Sequence, residues 1–319
     1  MRNEVVSVFG GTGFIGRHLV RRLCERHARL RVISRNPERG FFLKPMGAVG
    51  QIALERGDLH DDEAVARAVR GSSMVVNLVA MLYERRGRNS FQEIHVNAAG
   101  RIARAAAAAG VKRLVHVSAI GADPDSPSAY ARTKAAGEAA VREAFPDASI
   151  LRPSIVFGPE NGFFNRFGAM ARYLPALPLI GGGHTRFQPV YVGDVADAIV
   201  ACLTRDQGVW GATYELGGPA VYTFRELMRY ILDVTGRRRL LLDVPYGLAS
   251  FEARFLELLP KPLLTRDQVE LLKRDNVVSE GARTLRDLGI APTPMEVVVP
   301  DYLRRYARYG HRAPSPGRR

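Results

Sequence analysis

Near the start of the chain an apolar run, residues 5–9, passes directly into Gly10-Gly11-Thr12-Gly13-Phe14-Ile15-Gly16, and a helical apolar spacing follows over 14–25. A short buried strand, a turn built from glycines and a helix, in that order, leave few folds open. The glycines permit a tight turn, close main-chain approach to a diphosphate and close helix packing. The free N–H groups and the dipole at the helix start then meet negative charge.

The same alternation continues along the first half. Runs at 30–34, 51–54, 74–78, 114–118 and 149–151 read as strands. Stretches at 61–69, 90–109 and 130–144 read as helices, the last stopped by Pro146. This pattern predicts an α/β fold: a doubly wound parallel Rossmann sheet with a smaller C-terminal α/β lobe. After Asn161 the regularity loosens, with Pro- and Gly-bearing segments at 174–183, 217–219 and 260–262 between helices near Gly193, Thr223 and Thr265. The expected organisation is a dinucleotide-binding domain over 1–160 with returning segments near 187–216, a smaller lobe over 161–311, and a disordered Pro- and Arg-rich tail over 312–319.

The end of the second strand reads Val32-Ile33-Ser34-Arg35-Asn36-Pro37, where an NAD site would carry a carboxylate for the ribose hydroxyls. None is present. Arg35 can pair with a 2′-phosphate through its planar fork and Ser34 can donate to it, so NADP(H) is the expected cofactor, NADPH favoured over NADH. A solvated loop charge is the plain alternative for Arg35.

Composition bounds the partners. The formal charge of +14 calls for an acidic neighbour such as anionic lipid, an acidic protein surface or the cofactor phosphates. Arginines cluster at Arg237, Arg238 and Arg239 and from Arg304 onward. No nucleic-acid motif accompanies them, so no nucleic-acid partner is expected. No Cys, His and carboxylate cluster has metal-ligand spacing, so no metal is expected either. Cys24 and Cys202 fall within apolar helical patterns and read as buried thiols. The longest apolar run, around 75–82, is far short of a membrane span. With the first strand at Val5 there is no room for a leader, which points to the cytoplasm.

Further motifs occur in register with the glycine loop: Gly57-Asp58-Leu59, Asn77-Leu78-Val79-Ala80, Tyr130-Ala131-Arg132-Thr133-Lys134 and Arg152-Pro153-Ser154. Together they resemble the short-chain dehydrogenases/reductases. Phe187-Gln188-Pro189-Val190-Tyr191-Val192-Gly193-Asp194 is similar to the entry to the substrate-lobe helix in the extended branch. That resemblance implies cofactor contacts from Gly10, Thr12, Gly13, Phe14, Ile15 and Gly16. It also implies Asp58 and Leu59 beside the adenine, Val79 and Ala80 along the ribose, Ser118 against the cofactor and Pro153 near the nicotinamide. Four residues apart on one helix, Tyr130 and Lys134 share a face. Lys134 can hold the ribose and lower the phenol's pKa, giving Tyr130 a proton-transfer role.

One position departs from the active pattern. After the fifth strand the chain reads Val117-Ser118-Ala119-Ile120, and Ile120 stands where a Ser or Thr would bond the substrate oxygen. Ser126 or Ser128 can replace it only if their loop folds back. His95 and Asn97 invite a site reading, but that helix usually supplies an Asn that braces the active-site helix, so bracing is expected of it.

The second half narrows the family. Ala144 to Ser154, Phe157 to Phe167 and Leu285 to Glu296 resemble the dehydrogenase-like accessory subunit of respiratory NADH:quinone oxidoreductase, complex I, the alpha subcomplex subunit 9 group. The resemblance implies a tightly held structural NADPH, peripheral-arm subunits as partners near the membrane and quinone site, and, with no presequence, a bacterial form at the cytoplasmic membrane. Residues 245–264 carry Phe251, Phe255, Leu256, Leu258 and Leu259 beside Arg254 and Lys261, a pattern suited to a lipid interface or to packing within the smaller lobe. A soluble NADP(H)-dependent oxidoreductase or epimerase, and a redox-sensing regulator, stand as the other readings.

Overall fold

The computed structural model of the protein describes residues 1–84, 88–205, 208–260 and 262–308. Along the chain lie β1 (Val5–Phe9), α1 (Phe14–Glu25), β2 (Arg29–Ser34), a 3-10 helix (Pro37–Met46), β3 (Ile52–Arg56), α2 (Asp62–Val69) and β4 (Met74–Asn77). A π-helical turn (Gln92–Asn97) leads into α3 (Ala98–Ala108), then β5 (Arg113–Val117), α4 (Ala129–Ala144), β6 (Ser149–Pro153), β7 (Val156–Phe157), α5 (Gly162–Tyr173) and β8 (Ala176–Ile180). After β9 (Arg186–Phe187) and β10 (Val190–Tyr191) come α6 (Val192–Thr204), β11 (Thr213–Leu216), β12 (Tyr222–Thr223), α7 (Phe224–Thr235), β13 (Leu240–Val244), α8 (Tyr246–Leu256), α9 (Arg266–Leu271) and α10 (Met295–Leu303).

Seven parallel strands form the main sheet in the order β11-β6-β5-β4-β1-β2-β3. Their direction of progression reverses between β1 and β4, the crevice where open α/β sheets bind ligands beyond the strand carboxyl ends. Val6, Val8, Val75, Val76 and Val115 are fully buried, as strands covered on both faces must be. On one face Phe9, Ile33, Val75, Leu114 and Ile150 pack against α2, α3 and α4. On the other α1 lies along α6, and the Arg22 guanidinium grips Asp197 at 2.6 Å. α6 buries nearly every side chain, Cys202 among them, and Cys24 is buried in α1.

Local chemistry sets the helix ends. Asp61 caps α2 through Glu63 and Ala64, Ser128 caps α4 through Ala131, and Asn161 caps α5 through Phe164. Thr223 with Glu226 and Thr265 with Gln268 close capping boxes on α7 and α9.

Two compact units result. The larger comprises 1–153, 192–216 and 280–291; the smaller comprises 154–191, 217–279 and the chain from 292. This division differs from the expected one at three places, the first being that the returning segment begins at Val192 and not near 187. The smaller unit takes over at Ser154, not past 160, because the Ser154 hydroxyl donates to Asn276 Oδ1 at 2.7 Å and the Ile155 N–H to the same oxygen at 3.2 Å. The stretch 280–291 returns to the larger unit, where the Glu215 N–H donates to the Arg283 carbonyl at 2.8 Å and extends the edge at β11. In the smaller unit α5, α7 and α10 enclose Phe157, Phe164, Leu227, Met228, Ile231 and Val299. The expected tail and Lys261 lie outside the described residues.

Candidate functional site

The glycine loop sits between β1 and α1 and leaves no room for a side chain at Gly10, Gly11 or Gly16. Gly10 adopts φ +80, and a Cβ there would meet Leu78 and Val79 at 3.2–3.3 Å. A Cβ on Gly11 would lie 2.9 Å from Val32, and one on Gly16 would strike the Gly11 main chain at 2.5 Å. The loop main chain therefore lies directly against the first turn of α1 and the chain at Leu78 and Val79, with the Val32 side chain of β2 packed on Gly11. No side chain caps the start of α1 and no carboxylate occupies its first turn. Its N–H groups thus face the crevice with a free positive dipole end, the arrangement that takes a diphosphate. Thr12, Phe14 and Ile15 complete the loop, with Thr12 abutting Gly40 of the 3-10 helix.

At the end of β2 the Ser34 hydroxyl donates to the Asn36 carbonyl at 3.1 Å and accepts from the Asn36 N–H at 3.2 Å, so it already serves the turn. Arg35 is exposed and donates to Asn89 Oδ1 at 3.2 Å. Asp58 is exposed beyond β3, where its carboxylate accepts the His60 N–H at 3.0 Å, and Leu59 packs on the core. At the end of β4, buried Asn77 accepts the Val79 N–H at 3.0 Å and bonds His116 Nδ1 at 3.1 Å. This fixes the bend that carries Leu78 and Val79 beside Gly10, with Ala80 next along the chain.

Ser128 starts α4 and thereby places Tyr130 and Lys134. Lys134 is almost completely buried, its Nζ donating to the Val117 carbonyl at 3.0 Å. Burial pushes its pKa down to about 8 against an opposing pull from Glu138. Glu138 is held in turn by Arg152 through a two-pronged ion pair at 2.7 and 2.9 Å. Ser118 is buried at the end of β5, and its hydroxyl finds no hydrogen-bond partner among the described residues. An orphaned hydroxyl beside a buried lysine suits a site completed by a ligand. Pro153 closes this end of the sheet, its carbonyl accepting the Ile120 N–H at 3.1 Å.

Ile120 is itself buried. In the loop after it, Ser126 Oγ accepts the Ser128 N–H at 3.2 Å and Ser128 Oγ accepts the Ala131 N–H at 3.2 Å, so both hydroxyl oxygens serve the start of α4.

Bracing of α4 falls to a residue other than the expected asparagine. Asn97 is exposed and bonds Glu93 at 2.6 Å. His95 is buried, with Nδ1 3.1 Å from Thr133 Oγ1 and Nε2 3.2 Å from the Met81 main chain. The π-helical turn, absent from a plain 3.6-residue reading of 90–109, rotates His95 inward. A Cβ on Gly137 would lie 2.0 Å from the His95 carbonyl, so α4 presses directly on this turn. Phe91 and His95 enclose the Tyr130 ring, with centroids 5.8 and 5.3 Å away. Among the described residues no group of His, Cys, Asp and Glu is placed to hold a metal.

A parallel sheet with this loop, crevice and Tyr-Lys helix defines a dinucleotide-binding protein of the dehydrogenase kind. The chain belongs to the NAD dependent epimerase/dehydratase family, whose model matches residues 6–217. It is 36% identical over 317 residues to the NADH dehydrogenase (ubiquinone) 1 alpha subcomplex subunit 9, mitochondrial, of Arabidopsis thaliana, covering 96% of this chain and 79% of that one. It is also 34% identical over 244 residues to the ceramide reductase of Caulobacter vibrioides, 76% of this chain and 74% of that one. The solved triphenylmethane reductase of Citrobacter sp. complexed with NADP(H) shares the fold, with TM-score 0.72 at 20% identity over 94% of this chain and 99% of that one.

Proposed function

We propose that this chain is an NADP(H)-holding, dehydrogenase-like accessory subunit of respiratory NADH:quinone oxidoreductase, and that its dinucleotide serves structure instead of turnover. The observation that carries this reading is Ile120: an apolar side chain, buried where a substrate oxygen would need a hydroxyl, in a chain 36% identical along almost its whole length to a complex I subunit.

The amides of Gly10 to Gly16 hold the diphosphate, with Thr12, Phe14 and Ile15 lining it. Arg35, turning from Asn89, grips the 2′-phosphate and makes NADPH the preferred form, with Ser34 supporting it. Asp58 and Leu59 flank the adenine, and Val79 and Ala80 line the ribose. Ser118, Tyr130, Lys134 and Pro153 surround the nicotinamide end, and the Lys134 ammonium exchanges its Val117 contact for the ribose. When bound, the dinucleotide supplies a hydride at its nicotinamide; Tyr130 and Lys134 place a proton donor beside it, but Ile120 provides no hold on an acceptor oxygen.

The partners are peripheral-arm subunits near the membrane, and the location is the cytoplasmic face of the inner membrane. Among the described residues no helix is long and apolar enough to span a bilayer. α8 buries only Ala249 and Ala253 and leaves Phe251 and Phe255 exposed, followed by exposed Leu258 and Leu259. That face beside Arg254 suits a lipid surface or a partner subunit.

A second reading, an NADP(H)-dependent reductase, is favoured by the intact Tyr130 and Lys134 pair and the ceramide reductase relative. Affinity purification from native membranes separates the two. The accessory role expects co-purification with complex I subunits and retention of NADPH that added ceramides, other carbonyls or quinones do not oxidise. Oxidation abolished by Tyr130→Phe, without complex I subunits in the eluate, would establish the reductase.

A further inference from the structure

We propose that Arg56, at the carboxyl end of β3, is a second guanidinium for the 2′-phosphate and so a determinant of NADP(H) over NAD(H) alongside Arg35. The inference rests on the NADP(H) reading above and adds a residue from a different strand.

The register places it. β2 and β3 pair in parallel with Val32 opposite Leu54 and Ser34 opposite Arg56. Partners in a parallel ladder share a face, and alternate residues along each strand do too. Val32 faces the glycine loop, as a Cβ on Gly11 would lie 2.9 Å from it. Leu54 faces the 3-10 helix, as a Cβ on Gly40 would lie 3.1 Å from it, with Thr12 of the glycine loop at 3.0 Å. Ser34 and Arg56 are therefore the next residues outward on the face that carries the loop. The opposite face is taken by Ile33 and Gly57, where a Cβ on Gly57 would meet Ile33 at 2.5 Å.

The strand end is held firmly, since the Gly57 N–H donates to the Ser34 carbonyl at 3.1 Å. Arg56 is exposed, and its side chain makes no hydrogen bond or ion pair among the described residues. Nearby carboxylates do not claim it. Glu55 points to the other face and pairs with Arg31 at 2.9 Å, and Asp58 bonds the His60 N–H. An arginine anchored at its Cα, unspent at its tip and adjacent to Ser34 matches the double negative charge of a phosphomonoester.

The test uses the full-length protein stripped of nucleotide, with 2′,5′-ADP and 5′-AMP as probes beside NADPH and NADH in calorimetry. Arg56→Gln should weaken NADPH and 2′,5′-ADP about tenfold, leave NADH and 5′-AMP within about twofold, and leave the unfolding midpoint unchanged. Arg56→Lys should fall between, because a point charge replaces a fork. If wild-type protein prefers NADPH and Arg56→Gln keeps that preference, Arg56 has no part in it and the inference is overturned. A wild type that binds 2′,5′-ADP and 5′-AMP equally would overturn the NADP(H) reading together with it. Equal weakening of all four ligands would show a general electrostatic effect and would also overturn it.

Discussion

The imidazole of His95 stands edge-on to the phenol ring of Tyr130, centroids 5.3 Å apart and planes at 89°. Thr133 donates its hydroxyl proton to the Ala129 carbonyl at 2.7 Å, His95 Nδ1 lies 3.1 Å from that hydroxyl oxygen, and Nε2 lies 3.2 Å from both the N–H nitrogen and the carbonyl oxygen of Met81. Burial, with Lys134 nearby, lowers the His95 pKa to about 3, which keeps the ring neutral and this pattern intact. One histidine thus ties the loop after β4 to the helix bearing Tyr130.

His95→Ala should accordingly cost about 2–4 kcal/mol, combining a cavity with unsatisfied partners. Asn97→Ala, on the exposed side of the same turn, should stay within about 0.5 kcal/mol. Urea unfolding of both variants checks the contrast; equal losses would place the brace elsewhere.

Gly16 lies inside α1, where alanine normally gains stability, by about 1 kcal/mol. Here its Cβ would fall 2.5 Å from the Gly11 main chain. Gly16→Ala is therefore expected to destabilise by more than about 2 kcal/mol and to abolish nucleotide binding. At the start of α5, Gly162 has nothing within 4 Å of its Cβ, and Gly162→Ala should be silent in the same thermal and binding assays.

Lys134 gives the stability a pH signature. Its folded pKa, about 8, lies below the ordinary 10.5. Between those values the unfolded chain holds the proton and the folded chain does not, so stability rises with pH across this window. The contribution is complete above 10.5 and lost as pH falls through about 8. It amounts to something on the order of 3 kcal/mol. Lys134→Met should remove that rise when unfolding free energies are compared from pH 7 to 10.5, and an unchanged slope would refute the burial account.

α8 should behave as a surface and not as core. Phe251→Asp with Phe255→Asp is expected to leave the unfolding midpoint unchanged while reducing binding to anionic vesicles or to membranes bearing complex I at least tenfold. A large loss of stability instead would assign those rings to internal packing.

Much of the larger unit was legible because its signals are local. The glycine loop, the apolar strands and the cap residues Asp61 and Ser128 each act within a few neighbours. Long-range relations were less visible. The resemblance points to Asn97 as the brace, whereas the π-helical turn brings His95 to Thr133 across 38 residues of chain. β3 reaches Arg56, two residues past its apolar signal, because strand ladders follow main-chain pairing and not side-chain polarity. The return of 280–291 to β11 could not be read locally either, since it rests on contacts such as Glu215 with Arg283. The turn role of Ser34 likewise appeared only with the backbone in place.

The most direct measurement is calorimetric titration of folded, nucleotide-stripped protein with NADPH and NADH. One-to-one uptake is expected, with NADPH bound at least tenfold more tightly and Arg35→Gln erasing most of the difference. No uptake of either nucleotide by protein that retains its unfolding transition would contradict the glycine loop's assignment as a diphosphate cradle.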